Sequence, residues 1–323
     1  MQITGKIKTI IKKTGAPAVY YKLNKLQKAS YNKFLYKLSP VLFVKQRYTD
    51  IYGEKPNLRK PGTFSEKLIW MMLFWMHPLK IQCADKYTMR TYAQQQGWGH
   101  VLPKLLGVYE NSSEIDFDAL PDKFVLKCNH GCGFNIICEN KAELNTEKAR
   151  FKLDTWMATD YSNVAGEVHY TFMKPRIICE EFLEDSVNEL PTDYKVYCFN
   201  GKAHCTIVVQ GRSKDGHCDV WDFYDADWQN KLPYGHSSLL ADRTVPKPEA
   251  YNEIIMASEA LSKPFPFVRM DFYDIGGKAY LGEMTFTPGG CITREFTDTA
   301  QKVMGELIAL PQRVAYRSTI QSA

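Results

Sequence analysis

The chain has no long apolar run. Its longest, Leu68 to Met76, is nine residues, whereas a membrane-spanning helix needs about 20. Near the start there is no lysine-free apolar stretch of the kind a signal peptide carries. There is no Cys-x-x-Cys pair, so the nine cysteines do not read as a zinc or redox framework. Cys128, His130, Cys132 and Cys138 alternate along one stretch and read as buried small hydrophobes and loop residues. Without an export signal, the expectation is reduced thiols in a cytoplasm. No repeat, low-complexity tract or nucleic-acid motif is found, and no nucleic-acid partner is expected. Acids are scarce at one end. Residues 1–60 hold fourteen Lys/Arg against Asp50 and Glu54, a balance of +12, while the remainder sums to −7.

What is present is ordinary for a globular protein, with 45% hydrophobic and 24% charged residues, and 323 residues suffice for two or three lobes. The basic head interleaves lysines with Ile10, Tyr20, Leu26, Tyr31, Phe34 and Leu38 at roughly helical spacing. Two readings stay open. One is an interfacial helix on an anionic membrane surface, which would make the protein peripheral on the inner face of the cell membrane. The other is a packed helix with a solvated basic face.

The pattern predicts four segments: a basic helical segment over 1–62, a helical or α+β lobe over 63–120, a small subdomain over 121–188 and a C-terminal subdomain over 189–323. Thr63 to Glu66 fits a capping box opening a buried helix, which Pro78 is expected to close. Asp85 to Gln96 reads as one further helix. Phe124 to Lys127, Asn135 to Cys138 and Arg176 to Glu180 read as strands. Tyr194 to Phe199 and Ala203 to Val209 flank Asn200-Gly201 and read as a hairpin. Residues 211–248 read as loop, and Glu249 to Ser262 as a helix. This order argues for an α+β fold with two antiparallel-rich sheets facing each other.

One hairpin stands out chemically. With Asp271 facing Glu283, the side chains of Arg269, Asp271, Glu283 and Thr285 share one face, and Val268, Met270, Phe272, Met284 and Phe286 share the other. That register calls for an odd-length loop such as Gly276-Gly277-Lys278. Carboxylates opposed at about 5 Å repel, so they need a proton or a cation between them. Mg2+ is the natural occupant. Upstream, Cys128 to Gly133 forms a glycine-bearing loop whose N–H groups can approach phosphate, and Lys127 at its edge can supply a charge. Lys86 is a second phosphate-binding lysine, set against the plainer reading of a solvated helix residue. Glu180-Glu181-Phe182-Leu183 ends a strand where backbone can meet an adenine edge.

Together these pieces resemble the ATP-grasp superfamily, and more closely its teichuronopeptide-biosynthesis (TupA-like) branch. The resemblance rests on Asp85-Lys86-Tyr87, Leu120 to Gly131, Pro175 to Glu180, Asp193 to Lys202, Val268 to Tyr273 and Gly282 to Gly289, and covers roughly residues 64–310. It implies an ATP-grasp-like fold, two α+β subdomains sandwiching ATP. Lys86 and Lys127 would contact phosphates under the loop of His130, Gly131 and Gly133. Glu180, Glu181 and Leu183 would form the adenine hinge, and Asp271, Glu283 and Thr285 would hold Mg2+. Thr285 stands where many members have Asn. Arg269 and Lys195 would serve the chemistry. The implied reaction joins a carboxylate to an amine (or a thiol) through an acyl-phosphate, on a uronic-acid or other saccharide precursor of the cell envelope. A competing reading is a nucleotide-sugar glycosyltransferase using Asp225-Ala226-Asp227.

Overall fold

A computed structural model of the chain describes residues 30–185, 190–211, 220–236 and 244–314. The first 29 residues of the basic head lie outside it. The chain divides into two compact units. In the smaller, residues 30–38 are helical and α1 follows at Pro40–Tyr52. Ser39 caps α1 by accepting the Leu42 N–H, and Gly53 ends it in the left-handed conformation. Phe43, Val44 and Tyr48 are buried, while Tyr31, Phe34, Leu38 and Leu42 lie on the surface. Among the described residues, no helix is long and apolar enough to cross a membrane.

The larger unit carries α2 (Phe64–Phe74), α3 (Pro78–Ala84), α4 (Thr88–Gln95) and two antiparallel sheets. The capping box is present: Thr63 Oγ1 accepts the Glu66 N–H, and the Glu66 carboxylate accepts the Thr63 N–H. Pro78 does not close α2, which ends at Phe74; it opens α3, where its missing N–H is harmless. The single helix expected over 85–96 is also shorter. Asp85 ends α3, and its Oδ1 accepts the N–H groups of Tyr87 and Thr88 at the start of α4. Lys86 therefore sits on the break between two helices.

The first sheet has β1 (Leu105–Tyr109), β2 (Phe124–Cys128), β3 (Asn135–Cys138) and β4 (Ile177–Glu181) in the order β1-β4-β2-β3. Phe124, Leu126, Cys128, Ile177 and Cys179 point to one face and bury against α5 (Thr146–Met157) through Ala149 and Leu153. Alternation then puts Val125, Lys127, Ile178 and Glu180 on the opposite face.

The second sheet has β5 (Asp193–Phe199), β6 (Lys202–Gln210), β7 (Val220–Asp225), β8 (Phe267–Ile275) and β9 (Lys278–Thr285) in the order β7-β6-β5-β8-β9. The β5–β6 turn is Asn200-Gly201, both at positive φ, as the Asn-Gly signal predicts. Val196, Met270, Phe272 and Met284 face α6 (Tyr251–Ser262), where Tyr251 Oη lies 2.8 Å from Thr206 Oγ1. Lys195, Asp271 and Arg269 lie on the other face.

The β8–β9 hairpin has the expected pairing, reached by a different route. Asp271 opposes Glu283, and Arg269 opposes Thr285. Yet the loop is a two-residue turn: Ile275 pairs with Lys278 across Gly276 and Gly277, at φ 59° and 79°. Continued without interruption, that turn would pair Asp271 with Gly282 and put Glu283 on the apolar face. A β-bulge at Gly282 adds the missing residue, since Phe272 pairs with Leu281 and Asp271 with Glu283. Glycine suits the bulge because a Cβ there would meet the Tyr273 ring at 3.1 Å.

Candidate active site

The face of β8 and β9 opposite α6 gathers the charged side chains. Asp271 is 3% exposed, and both its oxygens are engaged. Arg269 donates to them through Nε and Nη2, each at 2.6 Å, and Lys195 Nζ donates to Oδ2 at 2.8 Å. Arg269 Nη2 also reaches Glu283 Oε1 at 3.3 Å and Thr285 Oγ1 at 3.2 Å, and Thr285 Oγ1 donates to Glu283 Oε1 at 2.9 Å. Lys195 lies 3.1 Å from Asp193 as well. Burial alone would raise the Glu283 carboxyl. The Lys86 and Arg269 charges outweigh it and hold the group far below the usual carboxylate range. Lys195 is raised: burial opposes its charge, and Asp193 and Asp271 more than compensate. The cation that two opposed carboxylates require is thus supplied from within the chain.

Lys86 ties the two sheets together. Its Nζ donates to the Gly131 carbonyl in the β2–β3 loop at 2.9 Å and lies 3.4 Å from Glu283 Oε2. The next loop residue, Cys132, is exposed; partial desolvation and then Glu283 push its thiol up, with Lys86 and Arg269 also in range. The glycine loop and the carboxylate hairpin therefore share one electrostatic neighbourhood. The break after Asp85 makes this geometry possible. Asp85 Oδ2 accepts from Asn129 Nδ2 at 2.7 Å, and Asn129 Oδ1 accepts the Arg176 N–H at 2.7 Å, so the segment carrying Lys86 is pinned to the loop's first residues.

Other expected residues are differently placed. Gly133 is at φ 75°, open to any contact, while a Cβ on Gly131 would strike the Phe134 ring at 2.8 Å. His130 does not face outward. Its ring is buried, with Nε2 3.1 Å from the Trp156 carbonyl and Nδ1 3.3 Å from Asn129 Oδ1, so it props the loop, and burial lowers its pKa. Lys127 Nζ donates to Glu180 Oε2 at 2.7 Å. The Glu180 side chain is thereby engaged within the chain. Glu181 Oε1 accepts the Lys104 N–H at 2.7 Å, and Leu183 is half-buried just beyond β4.

Asp225 ends β7, and Asp227 lies two residues beyond it. Asp225 closes a turn, accepting from the Gln229 N–H at 2.7 Å and from Asn230 Nδ2 at 2.7 Å, while Asp227 is exposed. Among the described residues, no three His, Cys, Asp or Glu side chains gather as a metal site. The oxygen set best suited to a hard cation is Asp271 and Glu283 with the Thr285 hydroxyl.

Sequence reasoning missed two buried cations. Arg90 donates to Glu180 Oε1 at 2.8 Å and to the Pro103 carbonyl at 2.6 Å. Lys80, 1% exposed, donates to the carbonyls of Met71 and Trp75 at the end of α2. Burial lowers Lys80 to about 8 from 10.5. Between those values the unfolded chain binds the extra proton, so stability rises with pH across that window. Relative to Lys80→Met, the wild type should gain up to about 3 kcal/mol from pH 8 to 10.5. Urea midpoints of both proteins measure this, and a constant difference across the window contradicts it.

The family model described as TupA-like ATPgrasp matches residues 66–309. No curated protein gives a significant match. Similar solved structures include the D-alanine–D-alanine ligase of Bacillus anthracis complexed with ATP, at 14% identity and TM-score 0.43, covering 70% of this chain and 64% of that one. A D-cycloserine synthetase is 15% identical at TM-score 0.41, covering 71% and 70%. The phosphoribosylamine–glycine ligase of Thermotoga maritima is 11% identical at TM-score 0.41, covering 72% and 58%. The chain thus spans less than two thirds of the B. anthracis ligase. The family match extends over most of the sequence and over every strand of both sheets. The chain belongs to the TupA-like ATP-grasp family and, with it, to the ATP-grasp enzymes.

Proposed function

We propose that the protein is an ATP-dependent carboxylate–amine ligase, with a thiol as the alternative acceptor. Its carboxylate substrate would be a uronic-acid or other saccharide precursor of the cell envelope. The observation that carries this reading is the position of Lys86, which joins the glycine loop to Glu283. Around it, Lys127, Lys195 and Arg269 supply positive charge for a triphosphate.

As it stands, Asp193, Asp271 and Glu283 are matched by Lys195, Arg269 and Lys86. ATP would enter as a polyanion. The lysines and Arg269 would turn part of their charge toward it, releasing carboxylate oxygens. Asp271, Glu283 and Thr285 would then hold Mg2+, whose contribution is to neutralise phosphate charge. The substrate carboxylate would attack the γ-phosphorus, expelling ADP and giving an acyl-phosphate. The amine would then add to the acyl carbon, and phosphate would leave with the C–N bond formed and a proton lost from nitrogen. Arg269 would steady the carboxylate or the tetrahedral oxyanion that follows. Lys86 and the loop would align the phosphates.

The test is a thermal shift with ATP–Mg2+ against a panel of UDP-sugars. A ligand binding only the folded state raises the melting temperature by mass action. ATP–Mg2+ should stabilise the wild type and fail to stabilise Lys127→Ala. Stabilisation by a UDP-sugar instead, abolished by Asp225→Ala, would overturn the ligase reading.

The same enzyme would work at the inner face of the cell membrane. Support comes from the +12 balance of residues 1–60 and from the surface cluster of Tyr31, Phe34, Leu38 and Leu42. Co-sedimentation should be strong with anionic liposomes, weak with neutral ones, and lost on removing residues 1–60 or adding salt. Binding indifferent to all three rules it out.

A further inference from the structure

Lys127 cannot reach a phosphate while it is held by Glu180. That carboxylate is 3% exposed, so leaving it without a partner is strongly unfavourable. Its two oxygens are served separately: Oε2 by Lys127 at 2.7 Å and Oε1 by Arg90 at 2.8 Å. The two cations are not equivalent. Arg90 is buried and doubly fixed, because its Nη2 also donates to the Pro103 carbonyl at 2.6 Å. Lys127 is more exposed, and its side chain stands on the face of the first sheet opposite the one packed on α5.

We propose that Arg90 is a positioning residue that frees Lys127 for ATP. It keeps Glu180 paired from the far side, so that Lys127 can exchange a carboxylate for a phosphate without stranding a buried charge. Glu180 then works as a parking site for Lys127, and Arg90 sets how tightly the lysine is parked. This rests on the reading that Lys127 binds phosphate.

The expected behaviour follows from which charges remain. In Arg90→Met, Lys127 is the only cation on Glu180 among the described residues and is retained by it, so the affinity for ATP–Mg2+ falls roughly 10- to 100-fold. At saturating ATP, kcat changes little, because Arg90 touches no reacting atom. Adding Glu180→Gln to that variant removes the charge that holds Lys127, keeps the backbone through which the hinge would meet adenine, and should restore affinity to within about threefold of wild type. Arg90→Lys keeps the charge and should lie near wild type. A merely structural role for Arg90 would not be rescued by a second change at Glu180.

Calorimetric titration with ATP–Mg2+ decides it. Wild type must bind and Lys127→Met must bind more weakly; failure there sinks the underlying ATP-site reading and this proposal with it, whereas the outcomes that follow overturn this proposal alone. With that in place, unchanged affinity in Arg90→Met overturns the proposal. So does an Arg90→Met/Glu180→Gln double variant that binds as poorly as Lys127→Met. Should Arg90→Met not fold, the double variant, in which both buried charges are gone, still gives the deciding affinity.

Discussion

Asp271→Asn is expected to abolish most activity and also to destabilise the protein. The side chain is buried and accepts a two-pronged bond from Arg269 together with one from Lys195. Asn offers one acceptor oxygen and no charge, so two largely buried cations are left facing each other. Breaking a buried pair in this way costs about 3–5 kcal/mol. The catalytic loss should be about a thousandfold, the scale seen when a fixed electrostatic partner is removed from a reacting centre. Asp225→Asn is the control. That acid closes an exposed turn, and its replacement should leave turnover within about twofold, as expected of a surface change away from the site. ADP release under saturating substrates and a urea midpoint measure the two effects. Equal damage from both variants would mean that the hairpin acids have no special role.

The second large effect is expected at Lys86. Lys86→Met removes the group that donates to the Gly131 carbonyl and balances Glu283. The loop loses its tie to the hairpin, and Glu283 loses the first of the cations holding its carboxyl low. KM for ATP should rise about 100-fold, corresponding to loss of a charge-assisted contact of about 3 kcal/mol. Stability should fall far less than in Asp271→Asn, because Arg269 still faces Glu283. Lys86→Arg should rescue poorly, since a planar fork does not replace a point charge. Initial rates over a range of ATP concentrations test this, and an unchanged KM contradicts it.

Much of this arrangement was legible in the sequence, and the gaps have physical causes. The register of the β8–β9 hairpin could be read because charged and apolar side chains alternate in only one way. The turn length could not. Gly282 looks like an ordinary strand residue, and its bulge appears only once Gly276-Gly277 closes as a two-residue turn. Lys86 could be singled out as a candidate through its motif, Asp85-Lys86-Tyr87. Its location on a helix break is hidden in the sequence, because Asp85 reads as the start of one helix when it ends α3 and accepts the N–H groups of Tyr87 and Thr88 beyond it. Strand β7 was missed for a related reason. Asp222 is buried within it and paired with Lys231, which spoils the apolar alternation that marks a strand. Arg90 has no local signal at all. Its partner Glu180 is 90 positions away, and only the fold brings them together.

The central claim is that the face shared by Lys86, Asp271 and Glu283 binds a nucleotide with its metal. Calorimetric titration of the protein with ADP, with and without Mg2+, tests it most directly. The account predicts one site whose affinity is raised by Mg2+, with that Mg2+ dependence lost in Glu283→Gln and retained in Asp225→Asn. Nucleotide binding that is equally tight without Mg2+, or that survives Glu283→Gln with its Mg2+ dependence intact, would contradict it.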